Sequence, residues 1–180
     1  MHGNEEPGQD VLCAEDGFWR DFAEGRSMRG SVNVCAGPLV HRGPCPHSPR
    51  TSRPNRPPAD PCIGYIIHES ATLATPRKLA ILGDTSDASQ LTPLVRSTPG
   101  RLTLLVHEAT DAHIPAEIDP RLAARRSPAL VASKTQERGH STPTQAGACA
   151  GQWGARQLVL NHIGTRCVPI SSPPSRRPHS

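Results

Sequence analysis

Short apolar runs alternate with polar segments along the chain, and this alternation predicts a mixed fold of strands and helices. Five of the runs are typical of strands, at residues 31–40, 62–68, 78–82, 101–106 and 157–160. Patterns with helical spacing lie between several of them. Strands that alternate with helices usually form a sheet covered by helices. The fold class is therefore predicted as α/β.

Three segments carry the signals of a helix start. Residues 84–86 can cap a helix over 87–96, although Pro93 must kink or shorten it. Ser127 and Pro128 suit the cap and the first position of a second helix. The third start is at Thr142, which can form a capping box with Gln145. An apolar face at helical spacing follows this cap and ends before Gly154; its members are Ala146, Cys149, Ala150 and Trp153.

Proline-rich segments divide the chain and limit its core. Residues 44–61 hold many of the 20 prolines, which remove backbone donors, so this insert cannot form a helix or a central strand. We expect a partly disordered lead-in at 1–30, a domain at 31–170 that contains the insert, and a disordered tail at 171–180. Only 3% of the residues are aromatic, so each buried side chain contributes little apolar area.

Charge and cysteine content narrow the functional class only a little. The net charge of +4 is compatible with a polyanionic partner but does not demand one. The six cysteines include no Cys-x-x-Cys pair, which argues against a zinc knuckle and favours free thiols in a reducing compartment. No apolar run is long enough to span a bilayer, and no secretory signal is evident. We therefore expect an intracellular protein of the nucleus, cytoplasm or mitochondrion, with no membrane partner.

Three of the predicted strands are followed by an acid or an imidazole. Asp84 follows 78–82, Glu108 follows 101–106, and His162 follows 157–160. Taken singly, each has an ordinary explanation: Asp84 as a helix cap, Glu108 as a solvated surface residue, and His162 as a hydrogen-bonded loop residue. Taken together they indicate a site, because open α/β sheets place ligand chemistry outside the carboxyl ends of their strands. Carboxylates and imidazoles are also the ligands that zinc takes when it activates water.

Several short strings, in this order, resemble the motifs of ribonuclease Z, the tRNA 3′-trailer endonuclease of the metallo-β-lactamase superfamily. They are PLVHR at 38–42 with CIGY at 62–65, LAILGDT at 79–85, LVHEAT at 105–110, GHST at 139–142 and LVLNHIGTR at 158–166. The resemblance covers about residues 31–167 and is closest to fungal-type members. It implies an incomplete αββα metallo-β-lactamase sandwich that consists mainly of the C-terminal half, with a disordered insert and tail.

The resemblance also implies a role for individual residues. His41 would bind one zinc ion, Asp84 would bridge two, and His162 would bind the second. Glu108 would orient His140, which would protonate the leaving 3′ oxygen of a tRNA precursor. The two zinc ions would polarise the phosphodiester and activate the attacking water. Two further residues, Arg166 and Thr142, occupy positions where they would contact phosphate.

The chain departs from the family pattern in two ways. The His-x-His-x-Asp-His string that supplies the other ligands and the general base is absent from the sequence, so each zinc ion retains too few ligands. Deletion of 45–61 would restore the family pattern, so these residues are hypothesised to be a retained intron or gene-model error; a genuine surface loop is the alternative.

Three functional interpretations follow. The first is a tRNA 3′-processing endoribonuclease that is truncated and impaired as written. The second is a catalytically inactive fragment that binds RNA or a partner protein. The partner would be a second copy in a homodimer or a full-length relative, because a single half of the sandwich would expose a sheet face that should be buried. The third is a largely disordered product without a function.

Overall fold

The computed structural model describes residues 15–41 and 62–164, which form one six-stranded sheet with helices. The strands are β1 (Trp19–Ser27), β2 (Gly30–Leu39), β3 (Cys62–Glu69), β4 (Arg77–Leu82), β5 (Arg101–Glu108) and β6 (Leu158–Asn161). The α-helices are α1 (Thr92–Ser97), α2 (Pro120–Arg125), α3 (Pro128–Glu137) and α4 (Pro143–Trp153), and a short 3₁₀ helix spans Ser89–Leu91. Among the described residues, no helix has the length and apolarity needed to cross a membrane.

The strands lie in the sheet in the order in which they occur along the chain. Neighbours from β1 to β4 pair antiparallel, whereas β4, β5 and β6 run parallel. Parallel neighbours need a crossover, and helical segments provide it after β4 and after β5. As a result, β2, β4, β5 and β6 all point in the same direction. Their carboxyl ends meet at one edge of the sheet.

One face of the sheet packs against helices and forms the core. Ile66, Ala80 and Leu105 project from β3, β4 and β5 and are fully buried. Leu91 and Leu94, from the segment between β4 and β5, are also fully buried in the same cluster. Burial of a large aliphatic side chain contributes roughly 1.5–3 kcal/mol. The core of the described residues is therefore mainly aliphatic.

The opposite face of the sheet carries a row of exposed apolar side chains. Tyr65 pairs with Ile81, Ile81 with Val106, and Val106 with Val159, so the four side chains project from the same face. Tyr65, Ile81 and Val159 are 40%, 38% and 48% exposed. We call this row the open sheet face. It corresponds to the exposed sheet expected for half of a sandwich.

Helix α4 forms as its sequence predicts. The Thr142 hydroxyl accepts from the backbone N–H of Gln145, and the Gln145 side chain accepts from the backbone N–H of Thr142. Ala146 and Ala150 are buried. Gly154 ends the helix in the left-handed conformation at φ 64°, which glycine adopts without steric cost. The five predicted strands and the helix after Ser127 are also present.

The helix predicted over 87–96 is present only in a shortened form, as expected from Pro93, and its predicted cap is wrong. A 3₁₀ turn begins at Ser89, and the α-helix begins only at Thr92, with Pro93 in its first turn. Neither element receives a side-chain cap. Pro93 fits a first turn because the amide that it lacks has no helical partner there. Asp84 is therefore not a helix cap.

Two elements were not predicted from the sequence. Strand β1 lies within the expected lead-in; its side chains are mostly exposed, so it has no alternating apolar pattern and is held through its backbone pairing with β2. Helix α2 buries no residue, and the Asp119 side chain caps it. The expected insert at 44–61 and the tail at 171–180 lie outside the described residues.

Candidate metal site

The predicted site residues converge at the edge of the sheet where four parallel strands end. His41 follows β2, Asp84 follows β4, Glu108 ends β5, and His162 follows β6. His140 joins them from the loop before α4. Elements far apart in sequence thus deliver five metal-binding or acid–base side chains to one place.

Asp84 and His162 are in direct contact. The Asp84 Oδ1 atom lies 2.8 Å from His162 Nδ1, and because a carboxylate only accepts, the imidazole N–H donates. The Thr110 hydroxyl lies 3.3 Å from the same His162 nitrogen. His162 has a left-handed backbone at φ 51°, which is uncommon for a residue other than glycine. A strained residue at the end of a short strand is consistent with a functional position.

The Glu108 carboxylate is buried and accepts five hydrogen bonds. Its Oε1 atom accepts from the backbone N–H groups of Thr85 at 3.1 Å and Ser141 at 2.9 Å, and from His140 Nδ1 at 3.1 Å. Its Oε2 atom accepts from the backbone N–H and the hydroxyl of Thr110, at 3.1 and 2.7 Å. Glu108 is only 1% exposed. Such a network fixes the carboxylate and orients the His140 ring.

His41 is oriented by a backbone carbonyl. Its Nδ1 atom lies 3.0 Å from the carbonyl oxygen of Gly139, so Nδ1 carries the proton and Nε2 retains its lone pair. The centroid of the His41 ring lies 4.9 Å from that of His140, and the centroid of the His140 ring lies 5.2 Å from that of His162. Metal-binding histidines are typically oriented in this way.

The donor atoms fall into two overlapping groups that fit a metal ion. One group contains His41, Asp84 and His140, and the other contains Glu108, His140 and His162; within each group the donor atoms lie within 4.8 Å of one another. Two imidazoles and a carboxylate, with a fourth position left open, are a usual zinc donor set. His140 belongs to both groups, so its place as an acid or as a ligand depends on where an ion binds.

Of the two residues predicted to contact phosphate, the structure describes Thr142 but not Arg166. The Thr142 hydroxyl donates to Gln145 Oε1 at 3.0 Å and accepts from the Gln145 backbone at 3.4 Å, so it serves as the cap of α4. Arg166 lies outside the described residues.

Three further residues support the site and were not predicted from the sequence. Thr85 is fully buried, and its hydroxyl lies within hydrogen-bond distance of the carbonyl oxygens of Val40 and Asp87, which share its single proton. The Ser141 hydroxyl donates to the carbonyl oxygen of Thr85 at 2.7 Å, and the Thr110 hydroxyl lies between Glu108 and His162. All three stand inside the quoted motifs, so a signal existed. Their hydrogen-bond partners depend on tertiary contacts.

The chain matches no protein-family model, but it is similar to individual known proteins. It is 33% identical to ribonuclease BN of Cronobacter sakazakii over 106 residues, which are 57% of this chain and 28% of that protein. The crystal structure of human tRNase Z, short form, aligns with a TM-score of 0.51 and 26% identity, over 86% of this chain and 42% of that one. A metallo-β-lactamase fold protein of Bacillus subtilis aligns with a TM-score of 0.40 and 16% identity, over 73% of this chain and 38% of that one.

The sheet, the helices on one face and the cluster of donors at the strand ends define a metallo-β-lactamase type of fold, as predicted. Within that class, the predicted resemblance to ribonuclease Z is confirmed. The chain spans less than half the length of either ribonuclease that it matches.

Proposed function

We propose that this chain is a zinc-dependent phosphodiesterase module of the ribonuclease Z type, which acts on the 3′ trailer of tRNA precursors and is impaired in the form given by this sequence. The observation that carries the proposal is the convergence of two pairs at one sheet edge. Asp84 contacts His162 at 2.8 Å, and His140 contacts Glu108 at 3.1 Å. The similarity to human tRNase Z and to ribonuclease BN supports the same substrate class.

The residues divide into metal ligands and an acid–base pair. His41, Asp84 and His162 would hold zinc, which when bound polarises a phosphodiester and activates water. Glu108 accepts a hydrogen bond from His140 Nδ1, and it therefore fixes the orientation of that ring. In this role His140 would donate a proton from Nε2 to the leaving 3′ oxygen. Arg166 and Thr142 remain proposed contacts to phosphate.

The proposed impairment follows from the number of ligands. Two zinc ions would need more protein donors than His41, Asp84 and His162 provide. The His-x-His-x-Asp-His string that would complete the set is absent from the sequence. A partly occupied site and slow cleavage are therefore expected. A relative that contributes the missing string in trans would raise both.

The second candidate function is a binding module without catalysis. The observation that favours it is the open sheet face, where Tyr65, Ile81 and Val159 remain exposed. An exposed apolar row of this kind is typical of a surface that another protein covers. The occupant under this proposal is a homodimeric copy or a full-length relative.

Cleavage of a tRNA precursor with a 3′ trailer, measured together with zinc content, separates the two candidates. The enzyme proposal expects bound zinc and cleavage that is lost in His162→Ala. The matched control is His113→Asn, whose amide N–H can replace the hydrogen bond from His113 Nδ1 to the Arg126 carbonyl oxygen. Cleavage that is equal in His162→Ala and in the unmodified chain contradicts the enzyme proposal. Absence of both zinc and cleavage favours the binding module.

A further inference from the structure

A second cluster of metal-binding side chains lies on β1, β2 and β3, outside the candidate site. It consists of Asp21, Cys35 and His68. His68 Nε2 lies 3.0 Å from Asp21 Oδ1 and 3.7 Å from Cys35 Sγ, and the Cys35 sulfur lies 3.5 Å from Asp21 Oδ1. Cys35 and His68 are 1% and 4% exposed, whereas the Asp21 side chain is 56% exposed.

The backbone of β1 is distorted where it delivers Asp21 to this cluster. The pairing of β1 with β2 is irregular between Trp19 and Ala23. Asp21 lies within this interval in the left-handed conformation at φ 47°. Its backbone N–H donates to Cys35 Sγ at 3.3 Å. This irregularity directs the Asp21 carboxylate inward over the other two side chains.

The His68 ring is oriented by a backbone carbonyl. Its Nδ1 atom lies 3.2 Å from the carbonyl oxygen of Glu69, so Nδ1 donates its proton there. The other ring nitrogen, Nε2, faces Asp21 Oδ1 and Cys35 Sγ. A nitrogen, a sulfur and a carboxylate oxygen therefore lie close enough together to hold one metal ion.

The distances between the three donor atoms match those around a tetrahedral zinc ion. With zinc bonds of about 2.3 Å to sulfur and about 2.0–2.1 Å to nitrogen and oxygen, tetrahedral edges are about 3.6 Å for both S–N and S–O and about 3.3 Å for N–O. The observed separations are 3.7 Å for S–N, 3.5 Å for S–O and 3.0 Å for N–O. Each agrees to within about 0.3 Å of the ideal edge.

We propose that Asp21, Cys35 and His68 form a second zinc site, which is independent of the proposed nuclease site. Thiolate, imidazole and carboxylate together select zinc over magnesium or calcium. The Glu69 carbonyl orients the His68 ring as a supporting group. The Asp21 side chain is exposed, so water can reach the site and supply the fourth ligand. The ion joins the exposed edge strand β1 to β2 and β3, and so stabilises the end of the sheet.

Cobalt(II) added to the apo form of the full chain is the probe, because a thiolate ligand gives an intense near-ultraviolet charge-transfer band. We expect this band in the unmodified chain and its loss in Cys35→Ser. It should persist in Cys149→Ser and Cys62→Ser, which remove a thiol elsewhere. Cys35→Ser and Asp21→Asn should each weaken cobalt binding by about tenfold or more, as loss of one of three ligands requires. Asp21→Asn keeps a side chain that tolerates a left-handed backbone.

Two outcomes overturn the proposal. One is a chain that gives no thiolate band, in which case the cluster is a hydrogen-bonded triad with a doubly protonated His68. The other is a band that survives in folded Cys35→Ser, in which case the thiolate belongs to another cysteine. Should Cys35→Ser fail to fold by circular dichroism, Asp21→Asn decides the matter, because Asp21 is exposed. Unchanged cobalt affinity in that variant then contradicts the site.

Discussion

Replacement of Glu108 by glutamine tests the buried network at the centre of the candidate site. The substitution conserves volume, so it leaves no cavity. It replaces an acceptor-only carboxylate with an amide that carries two N–H donors. The carboxylate accepts from Thr85, Ser141 and His140 at Oε1, and twice from Thr110 at Oε2. A glutamine cannot accept all five.

The loss of stability in Glu108→Gln depends on which way the amide faces. If the amide nitrogen faces Thr110, the hydroxyl of Thr110 can rotate to accept, but the backbone N–H of Thr110 loses its partner. If the amide nitrogen faces the other side, the N–H groups of Thr85 and Ser141 lose theirs. The first orientation costs less, at roughly 1–3 kcal/mol for one buried unpaired donor. Loss of the charge weakens the remaining bonds, so Glu108→Gln should destabilise the chain by about 2–4 kcal/mol.

Urea denaturation followed by circular dichroism measures this difference in the free energy of unfolding. The matched control is Glu117→Gln, which makes the same change at an exposed position and should shift stability by less than about 0.5 kcal/mol. A Glu108→Gln variant as stable as the control would refute the reasoning. It would mean that the five hydrogen bonds do not hold the carboxylate in solution.

Two further predictions concern stability. Burial lowers the pKa of His107 below its ordinary value of 6.5, so the imidazole gains its proton at a higher pH in the unfolded chain than in the folded one. The contribution of His107 to the free energy of unfolding is therefore complete above about pH 6.5. It decreases by up to about 1.4 kcal/mol per pH unit as the pH falls. Between pH 7 and pH 5, the free energy of unfolding should therefore depend less on pH in His107→Asn than in the unmodified chain. An equal pH dependence of the two proteins would contradict this cause. Gly147→Ala should raise the free energy of unfolding by about 0.5–1 kcal/mol, because Gly147 lies inside α4 with open space for a Cβ. Gly100→Ala should lower the free energy of unfolding by more than about 1 kcal/mol, because φ is +89° and the Cβ would lie 2.7 Å from the Pro76 carbonyl oxygen. Equal effects of the two alanine substitutions would contradict this explanation.

Local sequence determined most of the secondary structure. The capping box at Thr142 and the left-handed Gly154 define both ends of α4 from contacts within a few residues. The apolar strands could be predicted because the face of the sheet that helices cover requires large aliphatic side chains. The order of the motifs also indicated the metallo-β-lactamase type of fold. Strand β1 could not be predicted in this way, because an exposed edge strand is held by its backbone and leaves no apolar pattern.

Only the tertiary structure decided how the polar residues meet. The sequence placed Asp84, Glu108 and His162 after strands, but parallel pairing of β4, β5 and β6 was needed to bring their carboxyl ends to one edge. The five donors around Glu108 come from three separate segments. Asp21, Cys35 and His68 share no motif and meet only through strand pairing and an irregularity in β1. Short-range sequence patterns specify elements, whereas contacts between distant residues depend on chain topology and register.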